Sequence, residues 1–203
     1  VATLLGNLGV AKLRKGDLEG AESILREVLD IRRSLLGNDH PMVASTMANL
    51  AAVVRRVGRE SEAYELNREA LRGFTTALGP EHPDVATGHN NVGVSLHLMD
   101  RHEEALESFA AALAIRRAKL PPDHPLTANA LSKLSQCLLD LERYAAAEPL
   151  LLESYEIYSK WQAEEPGQWD YVLGLMVQLL EATDRRDEAG EYAALRDAAG
   201  AQR

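Results

Sequence analysis

Three histidines each followed by proline, His40-Pro41, His82-Pro83 and His124-Pro125, recur at an interval of forty-two residues. Imidazole is a common metal ligand, so three copies in register raise the question of a metal centre. Geometry rejects it. Successive units of a helical stack are displaced by a packing distance of ~10 Å, whereas the ligands of one zinc ion lie ~2 Å from it. Three equivalent histidines cannot share an ion, and the role left to them is to order the chain before a helix. His89 falls at a core-facing position, and His97 and His102 flank a turn. None has the HExxH context of a zinc protease. Neither a metal nor a cofactor is expected.

The nucleophiles lead to the same place. Gly93-Val94-Ser95-Leu96 has a serine between small and apolar residues, but a nucleophile elbow needs a strand–turn–helix and this stretch reads as mid-helix. Cys137 has no adjacent cationic group and no histidine partner on its own helix, so it reads as a small buried hydrophobe. No glycine loop fit to cradle phosphate occurs. The chain is not expected to be an enzyme.

The elements that carry these residues follow from the period. Ala21, Ala63, Ala105, Ala147 and Ala189 repeat at the same forty-two-residue spacing, the signature of a repeat array. Within each unit two helices are legible. Leu4, Leu5, Leu8 and Ala11 recur at helical spacing over residues 2–15, Gly16-Asp17 breaks the pattern, and residues 18–36 resume it with Ala21, Leu25, Val28 and Leu29. The second unit predicts helices over 42–57 and 60–78, turning at Gly58-Arg59 and ending at Gly79-Pro80. The third and fourth units turn at Asp100-Arg101 and Glu142-Arg143, and the fourth is expected to run helical to Trp161. A fifth, degenerate unit predicts helices over about 169–183 and from 186. Its lost His-Pro and polar, Ala-rich tail suit a terminal cap. A lone pair of helices cannot bury its apolar face, so each unit must stack on the next. Gly9, Ala51, Gly93 and Ser135 share one site on the first helix, and with the alanine column they allow close helix approach.

Composition narrows the class. At 46% apolar with only 5% aromatic residues, the 203-residue chain suits packed helices better than a β-sandwich. A net charge of −9 lacks the basic footprint that nucleic acid or an anionic membrane requires, so neither is expected as a partner. One cysteine excludes an internal disulfide framework and fits a cytoplasmic location. No apolar run approaches the ~20 residues that span a bilayer, and no signal peptide is visible. Val1 enters partway through a unit, which suggests a segment of a longer protein.

Leu8-Gly9 with Ala21 and Leu25, and Val92-Gly93-Val94-Ser95-Leu96 with Ala105 and Phe109, resemble the tetratricopeptide pattern. The forty-two-residue period and the Leu-Gly-Asn-Asp-His-Pro and Leu-Gly-Pro-Glu-His-Pro linkers resemble the kinesin-light-chain type of that repeat. The resemblance covers residues 1–162 well and 163–200 loosely. It implies an all-α, right-handed αα superhelical solenoid: four good repeats (about 1–40, 41–82, 83–124 and 125–165) and a degenerate capping repeat (166–203) in one domain. Such arrays also occur in bacterial multidomain proteins, among them signalling ATPases, kinases and caspase-like proteases.

In that family the first helix of each repeat lines the concave surface. Here its outer stripe reads Thr3, Asn7, Val10, Arg14; then Ser45, Asn49, Ala52, Arg56; then Thr87, Asn91, Val94, Leu98; then Asn129, Lys133, Gln136, Asp140. The resemblance therefore implies a peptide-binding groove lined by Asn7, Arg14, Asn49, Arg56, Asn91, Asn129, Lys133 and Gln136. An asparagine amide both donates and accepts, so one per repeat could pair with an extended peptide's backbone. The ladder ends in the last two units, with Lys133 and Leu175 in its register. Residues 1–15, 43–57 and 85–99 contain no Asp or Glu although the chain is acidic, and Arg14, Arg56 and Lys133 sit on the stripe. A neutral-to-basic groove favours an acidic peptide or a C-terminal carboxylate. Seven of the ten aromatics lie at or after Tyr144. Of these, Trp169 and Tyr171 are weighed as partner contacts, and Tyr155 and Trp161 as space-filling. Two rival functions stand beside peptide capture: a module for self-association or rigid spacing, and a regulatory array of a larger ATPase, kinase or protease.

Overall fold

The computed structural model describes residues 2–201, and every element in it is helical. In chain order these are α1 (Ala2–Arg14), α2 (Leu18–Leu36), α3 (Pro41–Arg56), α4 (Glu60–Leu78), α5 (Pro83–Leu98), α6 (His102–Lys119), α7 (Pro125–Asp140), α8 (Tyr144–Ser159), α9 (Pro166–Ala182) and α10 (Arg186–Ala201). Odd-numbered helices are the first of each repeat and even-numbered helices the second. α2 and α4 span the residues the sequence predicts. α8 stops two residues short of Trp161, and α9 starts three residues before the expected 169. Pro166 at the first position explains the early start, because its fixed φ is already helical and its missing N–H leaves no bond unmade.

The His-Pro pairs cap helices. His40, His82 and His124 hold extended backbone, and each Nδ1 accepts the N–H two residues on, at 3.1 Å in all three cases. Proline follows at the first turn. The inner turns are just as uniform. Gly16, Gly58, Asp100, Glu142 and Asp184 all adopt positive φ, between 57° and 85°. At each, the N–H of this residue and of the next bond back into the last helical turn, as Gly58 does to the Arg55 carbonyl and Arg59 to the Val54 carbonyl. Glycine takes this conformation without strain. Asp100, Glu142 and Asp184 are held there at a cost of ~1–2 kcal/mol each.

By its backbone contacts the chain divides into two units, one up to Arg101 and the other from His102. The division falls inside the third forty-two-residue repeat, between α5 and α6. In the first unit α1 packs on α2, α2 on α3, α3 on α4 and α4 on α5. Val43, Met47, Leu50, Ala51 and Val54 of α3 are fully buried, each apolar side chain contributing about 1.5–3 kcal/mol. Small residues set the spacing: a Cβ on Gly9 would lie 2.9 Å from Leu25, and one on Gly88 3.2 Å from the Leu71 backbone. In the second unit α6, α7, α8, α9 and α10 pack in succession, and α7 also touches α9. Leu131, Leu151, Leu173 and Leu179 are fully buried there beside Ala105 and Ala147.

A second period underlies the first. Ile31-Arg32-Arg33 returns as Ile115-Arg116-Arg117, eighty-four residues on, whereas Gly73-Phe74-Thr75 and Ile157-Tyr158-Ser159 occupy the same place in the other repeats. Each doubled arginine does the same two jobs. Arg32 and Arg116 donate to the first-turn carbonyls of the next odd helix, Met42 at 3.2 Å and Leu126 at 2.7 Å. Arg33 and Arg117 reach the next even helix, pairing with Glu69 at 3.0 Å and Glu153 at 2.5 Å.

Candidate functional site

The stripe of the odd helices keeps solvent contact on α1, α3, α5 and α7, and α1 exposes Leu4 and Leu8 as well. In the first unit it consists of exposed Thr3, Asn7 and Arg14, then exposed Ser45 and half-buried Asn49 and Ala52, then exposed Thr87 and half-buried Asn91 and Val94. Asn49 shows the contrast best. Its neighbours Met47, Leu50 and Ala51 are fully buried, yet its own amide keeps contact with solvent. Asn91 lends its backbone carbonyl to the Asn67 amide at 3.4 Å, while Asn67 also donates to Ser95 at 3.0 Å in the core. The three asparagines thus stand at one register on three helices of one unit.

Arg56 has work of its own. Its Nη1 donates to the Leu13 carbonyl at 3.0 Å, tying the end of α3 to the end of α1. Part of its donor fork is spent on the scaffold, but the side chain stays exposed, as does Arg14 at the matching place on α1. The acids of this unit cluster on the even helices in the expected manner: Glu22 pairs with Arg26 and Arg59, and Glu62 with Arg26 at 2.6 Å.

In the second unit the structure gathers Lys133, Gln136 and Tyr171. The Lys133 ammonium lies 4.0 Å from the centre of the Tyr171 ring, a cation–π contact, and the Tyr171 hydroxyl donates to Gln136 Oε1 at 3.5 Å. Gln136 Nε2 in turn donates to Asp140 Oδ1 at 2.9 Å. Burial drives the Tyr171 hydroxyl well above its ordinary pKa, so it stays a donor at any physiological pH. Asp140 places a carboxylate on this part of the stripe, unlike anything in the first unit. Leu175, at the asparagine register of α9, is buried, so the ladder does not continue there.

Two expectations are corrected. Asn129 is not presented as a ligand-reading amide: its Oδ1 accepts from Arg116 at 3.4 Å, and it also hydrogen-bonds the buried Tyr158. The sequence shows nothing of this because Arg116 reads as a surface charge on α6, whereas it is 5% exposed and points inward. Trp169 is 5% exposed and packs into the core, its ring 5.1 Å from that of Tyr155, so it offers no open surface to a protein partner and reaches only the small cleft beside α10. It occupies the register of Val43, Val85 and Thr127, which are buried too. Tyr155 fills space as expected. Trp161 stays partly exposed, its indole N–H donating to the Asp123 carbonyl at 3.0 Å. Cys137 is fully buried, and burial pushes its thiol pKa up to about 12. His89 is half-buried, which lowers its pKa by desolvation.

The comparisons bear out the repeat fold. A sequence profile described as Tetratricopeptide repeat matches residues 1–76, 49–118 and 84–160. No curated protein sequence matches significantly. Among solved structures, a Podosopora anserina protein described as a kinesin light chain with nearly identical TPR-like repeats is 21% identical, with TM-score 0.83 over 98% of this chain and 94% of its own. BtubC (BKLC) from P. vanneervenii is 19% identical, with TM-score 0.85 over 98% of this chain and 79% of its own. A Rap protein complexed with Competence and Sporulation Factor is 15% identical, with TM-score 0.79 over 98% of this chain and 54% of its own. At these identities the likeness establishes the fold alone.

Proposed function

Because the chain belongs to the tetratricopeptide repeat family, we propose that it is a non-catalytic interaction module that holds an extended peptide segment along its odd-helix stripe. The observation that carries this reading is the asparagine register. Asn7, Asn49 and Asn91 keep solvent contact at the middle of α1, α3 and α5, and on α3 and α5 the adjoining faces are packed. Asparagine is a mediocre helix former, and nothing in the packing requires it there. An amide at each rung can donate to a peptide carbonyl and accept from a peptide N–H, which gives affinity without reading side chains. That a Rap protein of the same fold is complexed with Competence and Sporulation Factor supports use of this scaffold for partner capture.

The preferred ligand is acidic or ends in a carboxylate. Exposed Arg14 supplies a cation at one place, and Lys133 at another, its ammonium held over the Tyr171 ring. Charge-assisted bonds from such groups are roughly twice as strong as neutral ones.

A peptide-library screen tests both points. Peptides that bind are re-measured against the Asn49→Ala plus Asn91→Ala variant, whose fold is checked by circular dichroism. Two lost amide contacts at ~1 kcal/mol each correspond to about a thirtyfold loss of affinity. Equal affinity for the double variant rules out the ladder. Arg14→Glu should weaken acidic peptides selectively, and an unchanged affinity refutes the charge preference. Light scattering on a sizing column separates a monomeric receptor from an assembly module.

A further inference from the structure

A cleft of about 630 Å³ opens in the second unit where the end of α8, the start of α9 and the end of α10 meet. It uses no residue of the stripe. Tyr155 and Trp169 line it, their ring centres 5.1 Å apart and their planes inclined by 30°. Tyr192 meets Tyr155 edge-on at 5.3 Å, fixing the pair from one side. Leu195, Ala198 and Ala199 form the α10 wall, and no lining side chain carries a charge. Two polar groups at the rim are already engaged: Ser159 donates to the Glu156 carbonyl at 2.8 Å, and Gln162 to the Ser159 carbonyl at 2.7 Å.

The repeat explains why there is space. One repeat earlier, between α6 and α8 of the same unit, the residues corresponding to Ala199 and Ser159 are larger. Ile157, only 4% exposed, stands where α10 has Ala199, and the Arg117–Glu153 ion pair at 2.5 Å stands where the cleft has Ser159 and Leu195. The last repeat therefore replaces a filled, charged junction by an unfilled, uncharged one, and brings in aromatic walls where the earlier junction has Leu113 and Thr127. Terminal capping requires none of this, since Arg and Glu would cover the end equally well.

We propose that this cleft binds a small, neutral, planar aromatic molecule of one or two rings, seated against the Tyr155–Trp169 pair. Its volume is within the ~300–1,000 Å³ range of ligand pockets. Rings pack on rings in offset or edge-on contact, with a gain beyond simple burial. A charged ligand would lose its hydration without finding a partner.

Indole serves as the probe. Titrated into ¹⁵N-labelled protein, it should shift the Trp169 side-chain N–H resonance saturably, and shift the hydrogen-bonded Trp161 N–H much less. Two variants each restore a residue carried one repeat earlier: Ala199→Ile fills the cleft from α10, and Ser159→Arg from α8. Each should weaken indole by at least about tenfold. Two variants on opposite walls guard against one misfolding, which the dispersion of the spectrum reveals. Absence of a saturable shift in the unaltered protein overturns the proposal, and so does unchanged affinity in a folded filled variant.

Discussion

Arg116, 5% exposed, donates through Nη1 to the carbonyl of Leu126 at 2.7 Å, and eighty-four residues earlier Arg32 makes the same bond to Met42. An arginine in this place acts as a bracket: it adds a second, charge-assisted donor to a first-turn carbonyl of the next repeat and so ties the two repeats together. Desolvation lowers the pKa of both guanidinium groups, but they stay charged. Arg116→Ala removes the donor to Leu126 and to Asn129 and leaves a void, and should destabilise by about 3 kcal/mol. Arg116→Phe, the residue this column carries at Phe74, should cost clearly less. Urea denaturation measures both, and equal losses would show that packing volume is not what the site needs.

Glu142 holds φ 57° at a turn where the first two repeats have glycine. Glu142→Gly relieves ~1–2 kcal/mol of backbone strain against a loss of ~0.5–1 kcal/mol from the freer unfolded chain. The unfolding free energy measured in urea should therefore rise by a small net amount, about 0.5–1 kcal/mol. Gly58→Glu should lower it by a similar amount.

Cys137 should be inert. Alkylation proceeds through the thiolate, and a thiol pKa of about 12 leaves almost none at pH 8. Iodoacetamide should leave the folded protein unmodified for hours and label it at once in concentrated urea. Rapid labelling of the folded state would mean that the α7 core opens far more often than its packing implies.

Acid should loosen the first unit. The hydrogen bond from Arg59 holds the Glu22 carboxyl below its ordinary value, with Arg26 adding to the effect. A carboxylate of depressed folded pKa gives stability that is complete above the unfolded pKa, about 4.5, and is lost as pH falls through the lower folded value. Stability measured between pH 6 and 3 should thus fall for the unaltered protein. The gap between it and Glu22→Gln should close over the same interval; a gap constant with pH would contradict the assignment.

The local structure was legible in the sequence because it is local. Gly16 and Gly58 mark turns by their backbone freedom, His-Pro marks each capped start, and the alanine column marks where helices touch. The stripe holding Asn7, Asn49 and Asn91 follows from the same periodicity. What a side chain meets across the core is set by other helices, and only the tertiary structure decided it. Arg116 has the composition of a surface residue, yet α7 folds over it and its guanidinium donates to the Leu126 carbonyl and the Asn129 side-chain oxygen. Trp169 has the chemistry of a surface contact residue, yet the Tyr155 ring and the α8–α9 packing leave only 5% of it exposed. Arg56 reads as a groove cation, and only the tertiary structure shows that one of its donors is tied to the Leu13 carbonyl at 3.0 Å. Even the doubled arginines, visible at twice the repeat period, acquire meaning only from the carbonyls and carboxylates that neighbouring helices bring to them. Periodicity fixes which face a residue shares, and packing between helices distant in sequence fixes what it does there.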